Sequence, residues 1–117
     1  MHKFRELKVW QRSMDLVIEV YRLTQAFPSS ELYGLVSQLR RAAASIPLNI
    51  SEGAGSGTDP EFRRFLRIAL RSCYELMTGL EIGRRLGYCS DERAGALTQE
   101  TDEIAAMIVG LSRSLPA

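Results

Sequence analysis

The chain divides into four stretches of helical spacing separated by turn residues, with almost none of the alternation that marks a strand. In the first stretch Trp10, Ser13, Val17, Val20, Thr24 and Phe27 recur at alternating steps of three and four, which predicts a helix over 8–27. Pro28-Ser29-Ser30 ends it, and Ser30 is expected to cap the next helix. That second helix, 31–52, places Leu32, Leu35, Leu39, Ala43, Ile46 and Ile50 on one face. Pro47 removes a backbone donor from it, so its last turn is expected to kink or loosen. Gly53, Gly55 and Gly57 form a flexible connection, and Thr58 to Glu61 have the form of a capping box in which Pro60 is tolerated. The third helix, 59–86, carries the cleanest seam: Phe62, Leu66, Ala69, Cys73, Leu76, Leu80 and Gly83, with Gly87 as its stop. Ser90 caps a fourth helix, 91–113, whose seam is Ala94, Leu97, Thr101, Ile104, Ile108 and Leu111.

Each seam repeats about every 3.5 residues, the period of helices packed nearly parallel to one another. Connections of a few residues make neighbours antiparallel. The expected fold is therefore all-α: an antiparallel up-down-up-down four-helix bundle, with residues 1–117 forming one domain. The first helix holds more apolar surface than its seam uses, in Val9, Met14, Leu16, Ile18, Tyr21 and Leu23, and the third adds Ile68, Tyr74 and Ile82. Either the core is thick or these residues meet another subunit; self-association is the favoured reading.

Composition narrows the function. A length of 117 residues, 45% apolar and 25% charged, suits a single ordinary globule. The opening segment, Met1 to Lys8, mixes charge with apolar residues and lacks a secretory signal region, and no apolar run approaches the roughly 20 residues a membrane span needs. Cys73 and Cys89 are too few for a disulfide framework, so a reduced, cytoplasmic protein without a membrane partner is expected. His2 is the one histidine. No helix holds a Glu-x-x-His pair, and neither a zinc-protease motif, a phosphate-binding Gly-Lys-Ser/Thr loop nor a paired CxxC occurs. No catalytic, cofactor or metal site is therefore expected. The glycine run before the third helix follows no strand, and Asp59 and Glu61 in the next turn would repel a phosphate.

Two polar patterns remain. At about 100° per residue, Gln38, Arg41, Ser45, Asn49 and Glu52 form a stripe beside the apolar face of the second helix. All five make directed hydrogen bonds, which suits a polar seam between helices or subunits better than a solvated face. On the third helix Arg63, Arg67 and Arg71 stand four apart with Arg64 beside them, and Arg5, Lys8 and Arg12 make a second basic row. The formal charge of +1 hides this layout: residues 1–87 hold 13 basic and 9 acidic groups, while 88–117 hold two arginines and five acids. Basic rows on helices bind phosphate backbones without reading sequence, so RNA or DNA is a candidate partner; pairing with acids of the fourth helix is the competing use.

The segments Leu7-Lys8-Val9-Trp10-Gln11, Phe27-Pro28, Glu31-Leu32-Tyr33-Gly34-Leu35 and Gln38-Leu39-Arg40-Arg41-Ala42-Ala43 together form a recognisable series. It continues through Ser45-Ile46, Asn49-Ile50-Ser51-Glu52-Gly53, Phe65-Leu66-Arg67-Ile68-Ala69, Ser72 and Glu75-Leu76. Over residues 4–88 the chain resembles the bacterial four-helix-bundle family of 23S rRNA intervening-sequence proteins. The resemblance implies a homopentamer without established enzymatic activity. It also implies kinship with the accessory protein of diversity-generating retroelements, which works with a reverse transcriptase and nucleic acid. It makes Gln38, Arg41, Ser45, Asn49 and Glu52 structural or interfacial. Two departures bear on charge: Arg71 stands where the family often has Gly, and no basic residue occurs from Ala54 to Thr58.

Overall fold

The computed structural model describes residues 2–116, and Met1 and Ala117, the ends of the expected 1–117 domain, lie outside the described residues. The fold is all-α. Its four helices are α1 (Lys8–Thr24), α2 (Leu35–Ala54), α3 (Asp59–Arg85) and α4 (Asp91–Ser114), with short 3₁₀ turns at Phe4–Glu6 and Ser29–Glu31. The molecule measures 45 × 23 × 20 Å, its long axis close to the length of the 27-residue α3 at about 1.5 Å per residue.

The helix ends show which local signals operate. Ser90 Oγ accepts from Arg93 N at 3.1 Å and starts α4 as expected. Thr58 Oγ1 accepts from Glu61 N at 3.3 Å, but the Glu61 carboxylate turns to Arg64, so only half of the capping box forms. Gly87 adopts φ +77°, a left-handed conformation open to glycine, and Tyr88 N donates back to Gly83 O at 2.9 Å. Ser30 does not cap α2. The chain makes a 3₁₀ turn there, and α2 begins after Gly34, with Glu31 Oε1 accepting from Leu35 N at 3.2 Å. Leu32 is consequently outside the helix and exposed rather than on its apolar face. Likewise α1 stops at Thr24, and Phe27 reaches the core from the turn beyond it. α2 runs on through Pro47, and through Gly53 and Ala54, which are buried parts of the helix rather than a loose connection.

Every residue of the α3 seam is buried. In α1 the buried stripe is Val9, Ser13, Leu16, Val20, Leu23 and Thr24, whereas Trp10 and Val17 are half-buried at its edge. Val9, Leu16 and Leu23, surplus by the simple seam, thus thicken the core. Met14, Ile18 and Tyr21 do not, and stay exposed, as do Tyr74 and Ile82 of α3. The buried hydroxyls of Ser13, Thr24, Ser72 and Thr101 each donate to a carbonyl of the preceding turn, so their burial leaves no bare donor.

α2 and α3 share the largest contact. Leu35 lies beside Gly83, Leu39 beside Gly79, Ser45 beside Ser72, and Gly53 beside Phe62 and Phe65. Gly53 is required by that approach: a Cβ there would lie 2.8 Å from both Phe62 Cδ1 and Phe65 Cβ. α4 packs on α3 and α1, and α1 on α2 and α4. The α1 and α3 backbones do not approach within 8 Å, so they sit across the core from each other.

Candidate nucleic-acid interface

The fold divides the basic residues by partner. On α3 the seam faces the core, which turns Arg64, Arg67 and Arg71 outward, where they are exposed. Arg64 is engaged locally by Glu61, with Nη2–Oε2 at 3.0 Å, and each member of the pair holds the other in its charged form. Arg63 is half-buried and turned toward the C-terminal segment, where it donates to Leu115 O at 3.0 Å and to Pro116 O. Arg67 and Arg71 have no carboxylate partner among the described residues.

The second basic row is divided in the same way. Arg12 reaches α4, donating to Glu100 through Nε at 3.0 Å and again through Nη2, and to Glu103 at 2.8 Å. These bonds raise its pKa further, Glu100 having the largest effect and Glu103 the next. Glu100 and Glu103 of α4 therefore serve this arginine within one chain. Arg5 and Lys8 remain exposed, Arg5 lying 5.4 Å from the Phe4 ring centroid. Because α1 and α3 are on opposite sides of the core, the two rows do not merge into one strip. They do start at a common end of the molecule, where His2 Nε2 stands 3.9 Å from Asp59 and His2 N donates to Ala54 O.

The polar stripe on α2 also splits. Asn49 Nδ2 donates to Ser45 O at 2.8 Å and to Ser45 Oγ at 2.9 Å, while Ser72 Oγ of α3, whose proton goes to Ile68 O, stands within hydrogen-bond distance of Ser45 Oγ at 2.9 Å. Ser45 and Asn49 thus belong to a seam between helices. Gln38, Arg41 and Glu52 are exposed, and Arg41 has no acid partner among the described residues. Three engagements are invisible to local spacing. Arg40 donates to Thr24 Oγ1 at 2.9 Å with its guanidinium 4.6 Å from the Tyr21 ring centroid, Tyr88 donates to Glu31 at 3.1 Å, and Arg63 holds the C-terminal carbonyls. Each joins residues at least 16 apart, and no sequence pattern marks them.

Among the described residues no group of three or more His, Cys, Asp or Glu is placed to hold a metal ion. No helix among them is long and apolar enough to cross a membrane. Both cysteines are free thiols. Burial drives the Cys73 pKa up to about 12 and also raises that of Cys89.

The family model described as 23S rRNA-intervening sequence protein matches residues 5–110. A crystal structure of a protein with unknown function from the S23 ribosomal protein family of Bacteroides thetaiotaomicron has the same fold. It superposes with a TM-score of 0.81 at 21% identity, over 91% of this chain and 99% of that one. No curated protein matches the sequence.

Proposed function

The chain belongs to the 23S rRNA-intervening sequence protein family, and from that premise we propose a cytoplasmic, non-enzymatic antiparallel four-helix bundle that self-associates and offers a basic surface to nucleic acid. RNA or DNA, or an enzyme acting on them such as a reverse transcriptase, is its partner. The antiparallel arrangement is supported by pairings that run in opposite senses: Leu35 with Gly83 at one end of α2–α3, Gly53 with Phe62 at the other. For α3–α4 the corresponding pairs are Arg84 with Asp91 and Arg63 with Leu115. Self-association is supported by Met14, Ile18, Tyr21, Leu48, Tyr74 and Ile82, large apolar side chains left exposed in a chain with a well-filled core. Five copies is the number the family resemblance implies.

One observation carries the nucleic-acid reading: Arg67 and Arg71, a turn apart on the outer face of α3, are exposed and lack an acid partner among the described residues. Lys8 is the secondary contact. Arg12, Arg63 and Arg64 contribute less, because carboxylates or carbonyls already occupy them. Repetition of the pair around an oligomer multiplies the local potential beyond what one chain supplies.

Fluorescence anisotropy with a labelled RNA hairpin and a DNA duplex, across a salt series, tests this. Binding should weaken with salt, and Arg67→Ala with Arg71→Ala should reduce the slope of log affinity against log salt by about 2. An unchanged affinity and slope in that double variant would overturn the surface assignment. Absence of binding by intact oligomers at low salt would instead favour a structural or protein-interaction adaptor, the reading to which the exposed apolar residues also lend themselves.

A further inference from the structure

We infer that the two grooves flanking α2 are the complementary halves of one contact between copies of this chain. The inference rests on the self-association proposed above and goes further, in stating which faces meet and in what symmetry.

The first groove lies between α1 and α2. Trp10, Met14 and Val17 face Pro47 and Leu48 across an open cleft of about 450 Å³. Past Ala44 the cleft continues into a hollow lined by Tyr21, Tyr33 and Val36. The charged residues along both are Arg5, Arg40 and Arg41, with no carboxylate. Arg40 is held in place by the Tyr21 ring and Thr24, so its charge is fixed beside the apolar floor. The second groove lies on the other flank of α2, against α3. It has a volume of about 380 Å³ and is lined by Leu39, Tyr74, Gly79 and Ile82, and its one charged residue is Glu75.

Both grooves expose apolar side chains that water disfavours: Leu48 is 58% exposed in the first and Tyr74 54% in the second. Their charges decide the pairing. A two-fold contact of the first groove with itself would set the basic set Arg5, Arg40 and Arg41 of one copy against the same basic set of the other. The second groove paired with itself would set Glu75 against Glu75. Joining first to second buries apolar surface on apolar surface and brings arginines to Glu75. Such a contact is heterologous. Each copy then retains one free groove of each kind, and the contact repeats until the assembly closes into a ring.

Native mass spectrometry and size-exclusion chromatography of the full chain test the assignment. Leu48→Asp places an acid in the first groove, and Ile82→Arg a base in the second; both sites are exposed, and far-ultraviolet circular dichroism checks the fold. Met14→Asp and Thr78→Arg replace either variant that fails to fold. The wild type should run as one discrete multiple of 13.1 kDa, and each variant alone as the 13.1 kDa monomer. Mixing the two variants should restore one contact and yield a heterodimer with nothing larger. Arg41→Glu should weaken the wild-type assembly, and Glu75→Arg added to it should recover part of the loss. A monomeric wild type would overturn self-association and this inference together. If the wild type is oligomeric but both variants stay oligomeric, only one dissociates, or the mixture remains monomeric, the groove assignment fails while self-association stands.

Discussion

Replacing Gly53 with alanine sets two effects of opposite sign against each other at a close approach of α2 and α3. In an exposed helix the change is favourable by about 1 kcal/mol, because alanine restricts the unfolded chain and suits the helix. At Gly53 the added methyl meets Phe62 Cδ1 and Phe65 Cβ at 2.8 Å and Phe62 O at 3.3 Å. The Phe62 ring is fully buried and has nowhere to turn, while Phe65 Cβ is fixed to its backbone. Relief requires α3 to move off α2 by several tenths of an ångström along the largest helix contact in the molecule. Overpacking of this kind costs about 1–3 kcal/mol, and a backbone-bound obstacle belongs at the upper end. The net expectation is a loss of about 2 kcal/mol, or a melting temperature lower by about 8 °C for a chain this size. Gly95 and Gly110 of α4 are the controls, since a Cβ at either meets nothing within 4 Å. Alanine there should stabilise by about 0.5–1 kcal/mol each. Urea unfolding at one fixed protein concentration checks all three, because self-association makes stability concentration-dependent. A Gly53→Ala variant as stable as the wild type would refute the close-approach argument.

The Glu81 carboxylate is held down to about 2 from an ordinary 4.5, first by the hydrogen bond from Arg84 and then by that from Arg85. A depressed folded pKa means that its stabilisation is complete above about pH 4.5 and is lost as pH falls toward 2. The stability difference between wild type and Glu81→Gln should therefore be constant near neutrality and shrink across that acid range; a difference that persists undiminished at pH 2 would contradict it. The thiols should also separate. Iodoacetamide at pH 8 should modify half-buried Cys89 in the native chain and reach Cys73 only as denaturant unfolds it, as read by peptide mass spectrometry. Equal native labelling of the two would show that the α3 seam is open to solvent.

The α3 seam is legible because its apolar positions recur without a break over the whole helix, while the off-seam apolar residues Ile68, Tyr74 and Ile82 alternate with arginines and glutamates. In α1 the series Trp10, Val17, Thr24 and the series Val9, Leu16, Leu23 share a seven-residue spacing, and both are largely apolar. Periodicity cannot choose between them; the positions of α2 and α4 do, burying the second and leaving Trp10 and Val17 at the edge. The start of α2 was misplaced for a related reason. Ser30 is a suitable cap by type, but the Glu31 carboxylate takes Leu35 N and is itself held by Tyr88, 57 residues away. The basic rows appear uniform along the chain, yet Arg12 meets acids 88 and 91 residues distant and Arg63 meets carbonyls 52 and 53 distant. Residue type and spacing locate a charge on a helix. They do not reveal whether another helix has already neutralised it.

The hydroxyl pair of Ser45 and Ser72 has a consequence for which alignment of the helices is unique. Away from the fitted glycine contacts, a seam of leucines, isoleucines and alanines discriminates only weakly against a slide of one turn, about 5.4 Å, because apolar knobs then meet similar holes. After such a slide Ser45 and Ser72 would separate and the hydrogen bond between the helices, now 2.9 Å long, would be lost, leaving Ser45 with Asn49 and Ser72 with Ile68 O. Losing one such bond costs about 0.5–1.5 kcal/mol, enough to bias otherwise similar packings. The apolar residues supply cohesion, and their close fits at Gly53 and Gly79 supply part of the address. Two serines and the asparagine that steadies one of them add a polar index mark to the same stacking of α2 on α3.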